Sequence, residues 1–147
     1  MNYGKMEQLL RALVRSNMSS FQLLNQELER DKWPDAARFN RAAFYTAASR
    51  KFRDGQPIQD IIDYVADLRR RLPDEGGDLD PRAAERLIRL VVRDDDLSID
   101  EFAPAQRVHV QQMVIYDIIS SENLSDEELD AFFAEVRELL ANNSPAR

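Results

Sequence analysis

The sequence predicts an all-α protein, a single compact bundle of about seven helices. Apolar residues recur at the three- and four-residue spacing of amphipathic helices along most of the chain, and no segment shows a convincing strand pattern. Prolines and capping residues separate the helices by short turns. With 147 residues the chain has the size of one ordinary domain and can bury a core. We therefore expect one helical domain over residues 1–147.

Four helices are predicted in the first half. The third begins at Trp33 and Pro34, because proline is tolerated in the first turn of a helix but not deeper. Its buried face is expected to contain Ala37, Phe44, Ala48 and Phe52. The four predicted ranges are 5–16, 21–30, 34–52 and 56–72.

Three helices are predicted in the second half, after a glycine-containing segment at 73–80 that is the best candidate for a boundary between halves. Asp80 as N-cap followed by Pro81 predicts a helix over 81–93. Residues 103–120 are predicted to form the central buried helix, because they are apolar over most of the helix circumference from Val108 to Ile119. Ser125 and Glu128 form a capping box that starts the last helix.

Two pairs of segments match in the same order in the two halves. Residues 9–21 align on 87–99, and residues 64–72 align on 132–140. One interpretation is a duplicated multi-helix unit with a pseudo-twofold arrangement. The other is that amphipathic helices of similar composition coincide by chance. The sequence leaves both open.

Charge is distributed unevenly along this acidic chain, whose net charge is −7. Residues 1–93 contain 17 Lys and Arg against 14 Asp and Glu, a net charge of +3, whereas residues 94–147 contain 3 against 13, a net charge of −10. The two halves are expected to attract one another, either within a monomer or between subunits.

The net charge changes from positive to negative at the acidic stretch Asp94, Asp95 and Asp96. This stretch and the residues after it are similar to part of a calcium-binding loop. An EF-hand needs oxygen ligands at loop positions 1, 3 and 5, glycine at 6 and glutamate at 12. Counting back from Glu101 places aliphatic residues at 1 and 3 and no glycine at 6, so the EF-hand is excluded. A non-standard carboxylate metal site stays as an alternative. A second capping box, Ser98 with Glu101, explains more residues.

Four arginines at helical spacing share one face of the predicted 81–93 helix. A phosphate-rich partner could use such a face, which makes a nucleic-acid-binding or regulatory protein the alternative function. The acidic net charge and the lack of interleaved aromatic residues oppose this alternative. The arginines are Arg82, Arg86, Arg89 and Arg93.

No residue pattern indicates catalysis. The chain has no cysteine, and its only histidine, His109, has no acidic residue at metal-motif spacing. A phosphate-binding loop, a dinucleotide fingerprint and a Ser-His-Asp order are absent from the sequence. We therefore expect no enzyme, no catalytic residue, no metal and no cofactor, and a partly buried, hydrogen-bonded His109.

The leading functional hypothesis is a non-enzymatic protein-interaction module that forms a homodimer. The uneven charge supports it, and so do helices with more apolar surface than a small bundle needs. Four apolar side chains are expected to extend into the interface with the protein partner. They are Met113, Tyr116, Phe132 and Phe133.

The expected location is the cytoplasm, without membrane contact. No stretch approaches the roughly 20 apolar residues that span a bilayer. Charged residues from Lys5 to Arg15 interrupt any apolar run typical of a signal peptide.

Four segments carry a resemblance to a known group of proteins. The sequences "WPDAA", "YVADLRRRL", "DPRAAERLIR" and "LSDEELDAFFAEVRELL" are spread over most of the chain. In helix texture they resemble small all-helical hypothetical proteins of actinobacteria. The resemblance implies a cytoplasmic helical protein of unassigned role, and no activity.

Overall fold

The computed structural model describes residues 3–33, 35–71, 79–93 and 101–142, and these residues form seven α-helices and no strand. The all-α prediction is confirmed, and the helices pack into a compact bundle. Most of the candidate boundary at 73–80 lies outside the described residues, and the duplication stays a prediction. The helices are α1 (Gly4–Val14), α2 (Met18–Asp31), α3 (Ala36–Lys51), α4 (Ile58–Arg71), α5 (Pro81–Val92), α6 (Pro104–Ser121) and α7 (Asp126–Asn142).

Side-chain caps fix the starts of three helices. The Asp80 carboxylate accepts hydrogen bonds from the backbone N–H groups of Arg82 at 2.9 Å and Ala83 at 3.3 Å, as the Asp-Pro signal predicts. The capping box of α7 is confirmed, because Ser125 and Glu128 each accept a backbone hydrogen bond from the other. Asn17 caps α2, which therefore starts three residues earlier than predicted.

Helices α3 and α6 run parallel and form the centre of the bundle. The amide of Asn40, in the second turn of α3, donates to Oε1 of Gln111, near the middle of α6, at 2.7 Å. At the ends of the two helices, the Arg50 guanidinium binds the Glu122 carboxylate. Because contacts advance in the same direction along both helices, the axes point the same way. Helix α6 also packs against α1 and α5, so the predicted central helix is confirmed.

Helix α7 returns antiparallel to α1. Arg15 at the end of α1 reaches Asp126 at the start of α7, and Arg11 reaches Asp130 one turn on. Helix α7 also packs against α3, where the Phe133 ring stacks on the ring of Phe39 at 6.4 Å. The core of the bundle therefore lies between α1, α3, α6 and α7, with α4 and α5 on another side of α3 and α6.

One predicted buried residue is exposed. Ala37 faces solvent, whereas Phe39, two positions on, is fully buried. Ala37 lies in the first turn of α3, on the same side of the helix as the buried Phe44 and Ala48, so the predicted face is right farther along and is uncovered only at the helix start. Phe44, Ala48 and Phe52 are buried as predicted. No helix in the described ranges is both long and apolar enough to cross a membrane.

Candidate protein-interaction surface

Ion pairs join the positive first half to the negative second half within one chain. Arg11 binds Asp130 at 2.7 Å and Arg15 binds Asp126 at 3.0 Å. Further pairs of this kind join Arg50 to Glu122, Arg71 to Asp117, and both Arg82 and Arg86 to Glu101. The attraction between the halves is thus formed inside the monomer, and it gives no separate reason for a dimer.

The arginine face of α5 is bound by its own chain. Arg82 and Arg86 both bind the carboxylate of Glu101, and the Arg86 guanidinium lies 5.8 Å from the Phe102 ring. Arg93 donates to the backbone carbonyl of Gln56 at 2.8 Å. Arg89 also has an electrostatic or hydrogen-bond interaction within the chain. A phosphate at this face would therefore compete with Glu101 for Arg82 and Arg86.

The acidic stretch Asp94, Asp95 and Asp96 lies outside the described residues, as does Ser98 of the second predicted capping box. Within the part of the chain that the structure describes, no three His, Cys, Asp or Glu side chains are grouped as metal ligands. On α4, Asp67 binds Arg70 and Arg71 one turn along the same helix.

His109 differs from its prediction in one respect. It is half-buried as expected, but its Nε2 atom is buried and has no hydrogen-bond partner among the described residues. No Asp or Glu lies three or four residues from His109 in the sequence. The described residues therefore provide no second group that would make His109 a general base.

The best-connected polar cluster joins α4 to α6. The Asp117 carboxylate accepts from the Tyr64 hydroxyl at 2.8 Å and from both Arg71 Nη atoms, at 2.6 and 3.2 Å. Burial, followed by the negative charge of Asp117, raises the pKa of Tyr64, so its hydroxyl remains a donor. Hydrogen bonding to Asp117 raises the pKa of Arg71. Both partners therefore donate to the same carboxylate. We call Tyr64, Arg71 and Asp117 the clamp, because they link α4 to α6.

The four residues predicted to form an interface do not form an exposed surface. Phe132 and Phe133 are 1% and 0% exposed, and Met113 is also buried, all three in the core of the chain. Tyr116 is half-buried, and its hydroxyl lies 3.3 Å from the Ser16 hydroxyl. The prediction was wrong for the first three residues, because α3 and α1 cover the apolar face that the sequence left without a partner.

Helix α2 carries the exposed apolar surface instead. It has no buried residue, and it packs mainly against α1. Among the described residues, three large apolar side chains are exposed, and two of them lie on α2: Leu23 at 65% and Met18 at 42%. The third, Tyr45, lies on α3 beside a separate groove.

From Met18 to Gln26 the exposed side of α2 also carries no charge, whereas its last turn contains Glu27, Glu29, Arg30 and Asp31. Residues 16–26 contain no Asp, Glu, Lys or Arg, in a chain of which 32% is charged. On this stretch Ser19, Gln22 and Gln26 are exposed together with Met18 and Leu23. We call these five side chains the neutral face of α2. The signal that could have revealed this face is the charge-free run, which periodicity does not detect.

A groove runs beside the neutral face, between α1 and α2. Its volume is about 350 Å³, and Ala12 and Leu24 are the apolar residues that line it. Arg11 and Arg15 line its edge, where Asp130 and Asp126 already bind them. The groove and the neutral face together make the candidate interaction surface.

Comparison with known proteins gives no match to a family model, a curated protein or a solved structure. The resemblance to helical actinobacterial proteins therefore stays a prediction. Function has to be argued from the residues of this chain.

Proposed function

We propose that this chain is a non-enzymatic, cytoplasmic protein-interaction module that associates with a second copy of itself through the neutral face of α2. The observation that carries the proposal is Leu23, an apolar side chain 65% exposed on a helix with no buried residue. A lone exposed leucine is ordinary, but here Met18 lies on the same uncharged surface.

Electrostatics favours a second copy at this surface. Two chains of net charge −7 repel one another over most orientations. The neutral face contributes no charge, so two such faces can meet without placing like charges opposite each other. Depletion of charged residues is also what distinguishes the centre of a protein interface from the rest of a surface.

Burial of Leu23 sets the expected size of the mutational effect on Kd. Burying a leucine side chain contributes about 1.5–3 kcal/mol, and a twofold dimer buries Leu23 twice. Since about 1.4 kcal/mol corresponds to a tenfold change in Kd, loss of both contacts is expected to raise Kd by more than about tenfold.

Analytical ultracentrifugation over a concentration series tests the proposal. The wild-type chain is expected to form a dimer, more strongly as salt screens the net charge. Leu23→Lys is expected to shift the chain to monomer without loss of helical circular dichroism. The matched control is Tyr45→Lys, which makes the same charge change at an exposed apolar residue on another face and should leave the dimer intact.

Two outcomes would contradict the proposal. One is a wild-type chain that stays monomeric at every concentration and salt. The other is a dimer that Leu23→Lys leaves unchanged, or that Tyr45→Lys weakens to the same extent.

A further inference from the structure

We infer that the dimer forms by reciprocal insertion: Leu23 of each copy enters the groove between α1 and α2 of the other copy. This inference rests on the proposed self-association and specifies its geometry. The projecting side chain and the groove that would receive it both belong to the helix pair α1 and α2.

The projecting residue stands beside the groove. Leu23 is exposed, whereas the next residue, Leu24, is half-buried and lines the groove. Consecutive residues of an α-helix are rotated by about 100°, so Leu23 leaves the helix one step around from the groove wall. The neutral face and the groove therefore form one continuous patch.

The groove has the size and chemistry to take a leucine. Its volume of about 350 Å³ exceeds that of one aliphatic side chain, and Ala12 and Leu24 are the apolar residues that line it. Ser20 and Gln8 line it and carry no charge. A leucine there would replace water against apolar surface.

The positions of the two parts determine the symmetry. When a projection and its receiving groove lie on the same patch, a twofold axis makes two identical insertions and closes the assembly. If they lay on distant surfaces, each copy would leave one free groove and one free projection, and the chain would polymerise. Leu23 and the groove lie on one helix pair, so the contact closes at two copies.

The positive charges at the groove edge are already bound within the chain, which suits an uncharged partner. Arg11 and Arg15 are the positive groups at the edge, and Asp130 and Asp126 bind them within the chain. Glu27, one turn along α2 from Leu23, is a partly exposed carboxylate, and Lys5 binds it at 3.1 Å. Gln22 and Gln26 are exposed amides, which can hydrogen-bond at the groove edge without adding charge.

A mixing experiment tests the insertion. Leu23→Lys removes the projection and leaves the groove, whereas Ser20→Tyr is designed to fill the groove and leave the projection. Each variant alone should lose the dimer by at least tenfold in Kd, because both insertions fail. An equimolar mixture should regain a heterodimer of intermediate affinity, because one copy keeps a groove and the other a leucine.

Cross-linking gives a second measurement with milder substitutions, since the natural chain has no cysteine. Mixed Leu23→Cys and Ser20→Cys chains should form an interchain disulfide on oxidation, and Leu23→Cys alone should form much less. Tyr45→Cys serves as the control for random collision.

The outcomes separate this inference from the proposed function. A wild-type chain that stays monomeric contradicts both the proposed self-association and the insertion. A wild-type dimer whose variants do not complement on mixing, or whose Leu23→Cys chains cross-link efficiently to each other, overturns the insertion but leaves the self-association in place.

Discussion

Helices α6 and α2 both contain apolar and polar residues, but they differ in how many of them are buried. Helix α6 buries nine residues, including the polar Gln111, Gln112 and Asp117. Helix α2 buries none and exposes Leu23 and Met18. Residue type alone therefore does not decide burial. The position of the helix in the bundle also matters, because α6 packs against α1, α3 and α5, whereas α2 packs mainly against α1.

The comparison separates residues that maintain the fold from residues available for function. In α6 the buried Gln111 and Asp117 are bound by side chains of α3 and α4. Such groups are costly to disturb, because an unpaired buried polar group loses its hydration without compensation. In α2 an exposed leucine can change without disturbing the core, which leaves it free to serve binding.

The largest effect is expected from truncating the core side of α6. Ile115 is fully buried, so Ile115→Ala should lower the free energy of unfolding by about 2–5 kcal/mol through lost burial and a residual cavity. Chemical denaturation followed by circular dichroism measures this change. Ile115→Val is the control, with an expected loss of about 0.5–1.5 kcal/mol. Equal effects of the two variants would contradict tight packing around α6.

The clamp should give the next largest effect. Asp117→Asn removes the charge that both Arg71 Nη atoms contact, and we expect a loss of about 2 kcal/mol in unfolding free energy. The loss stays moderate because Arg71 is partly exposed and keeps Asp67. Tyr64→Phe, which removes one hydrogen bond to the same carboxylate, should cost about 1 kcal/mol. A change below about 0.5 kcal/mol for Asp117→Asn would show that the clamp contributes nothing.

The capping box of α7 is expected to contribute less. Ser125→Ala should destabilise the fold by about 1 kcal/mol, because the Glu128 N–H loses its side-chain acceptor. Ser125→Asp, which restores an acceptor, should recover most of the loss. Thermal melts compare the three chains, and no recovery by Ser125→Asp would argue against a capping role.

The same box predicts a pH dependence. The hydrogen bond from the Ser125 backbone N–H lowers the pKa of Glu128 below its ordinary value of 4.5. A lowered folded-state pKa means that the stabilisation is present above pH 4.5 and is lost as pH falls through the folded value. Glu128→Gln should therefore melt below the wild type at pH 7, and the difference should narrow below pH 4.5. A constant difference across that range would contradict the assignment.

The smallest effect on stability is expected at Leu23. Leu23→Gln should change the unfolding free energy of the monomer by less than about 0.5 kcal/mol, because this side chain gains little burial in the fold. Chemical denaturation at a protein concentration too low for the dimer to form measures the unfolding free energy of the monomer alone. A loss near that of Ile115→Ala would mean that α2 belongs to the core after all.

Local signals in the sequence were sufficient for most helix starts. Asp80 before Pro81, and Ser125 three residues before Glu128, act through backbone groups within one turn, so a short segment contains all the information. The central position of α6 followed from its nearly continuous apolar circumference. The start of α2 is also set locally, by the Asn17 cap, but the prediction used periodicity alone and placed the start three residues late.

Contacts between distant segments could not be predicted. Tyr64 and Asp117 are separated by 53 positions, and nothing in either helix indicates that the other will supply its partner. The same limit explains the interface prediction: periodicity shows that Phe132 and Phe133 form an apolar face, but not that α3 covers it. The candidate surface on α2 was missed because absence of charge, rather than presence of apolar residues, marks it.

The ion pairs between the two halves have a consequence for the order in which the molecule is made. Arg11 and Asp130 are 119 positions apart, and Arg15 and Asp126 are 111 apart, so α1 leaves the ribosome long before its partners exist. Phe39 must likewise wait for Phe133. Because such distant contacts slow folding, we expect nascent chains stalled near Arg93 to be cut readily by protease, and protection to appear only after α7 has emerged.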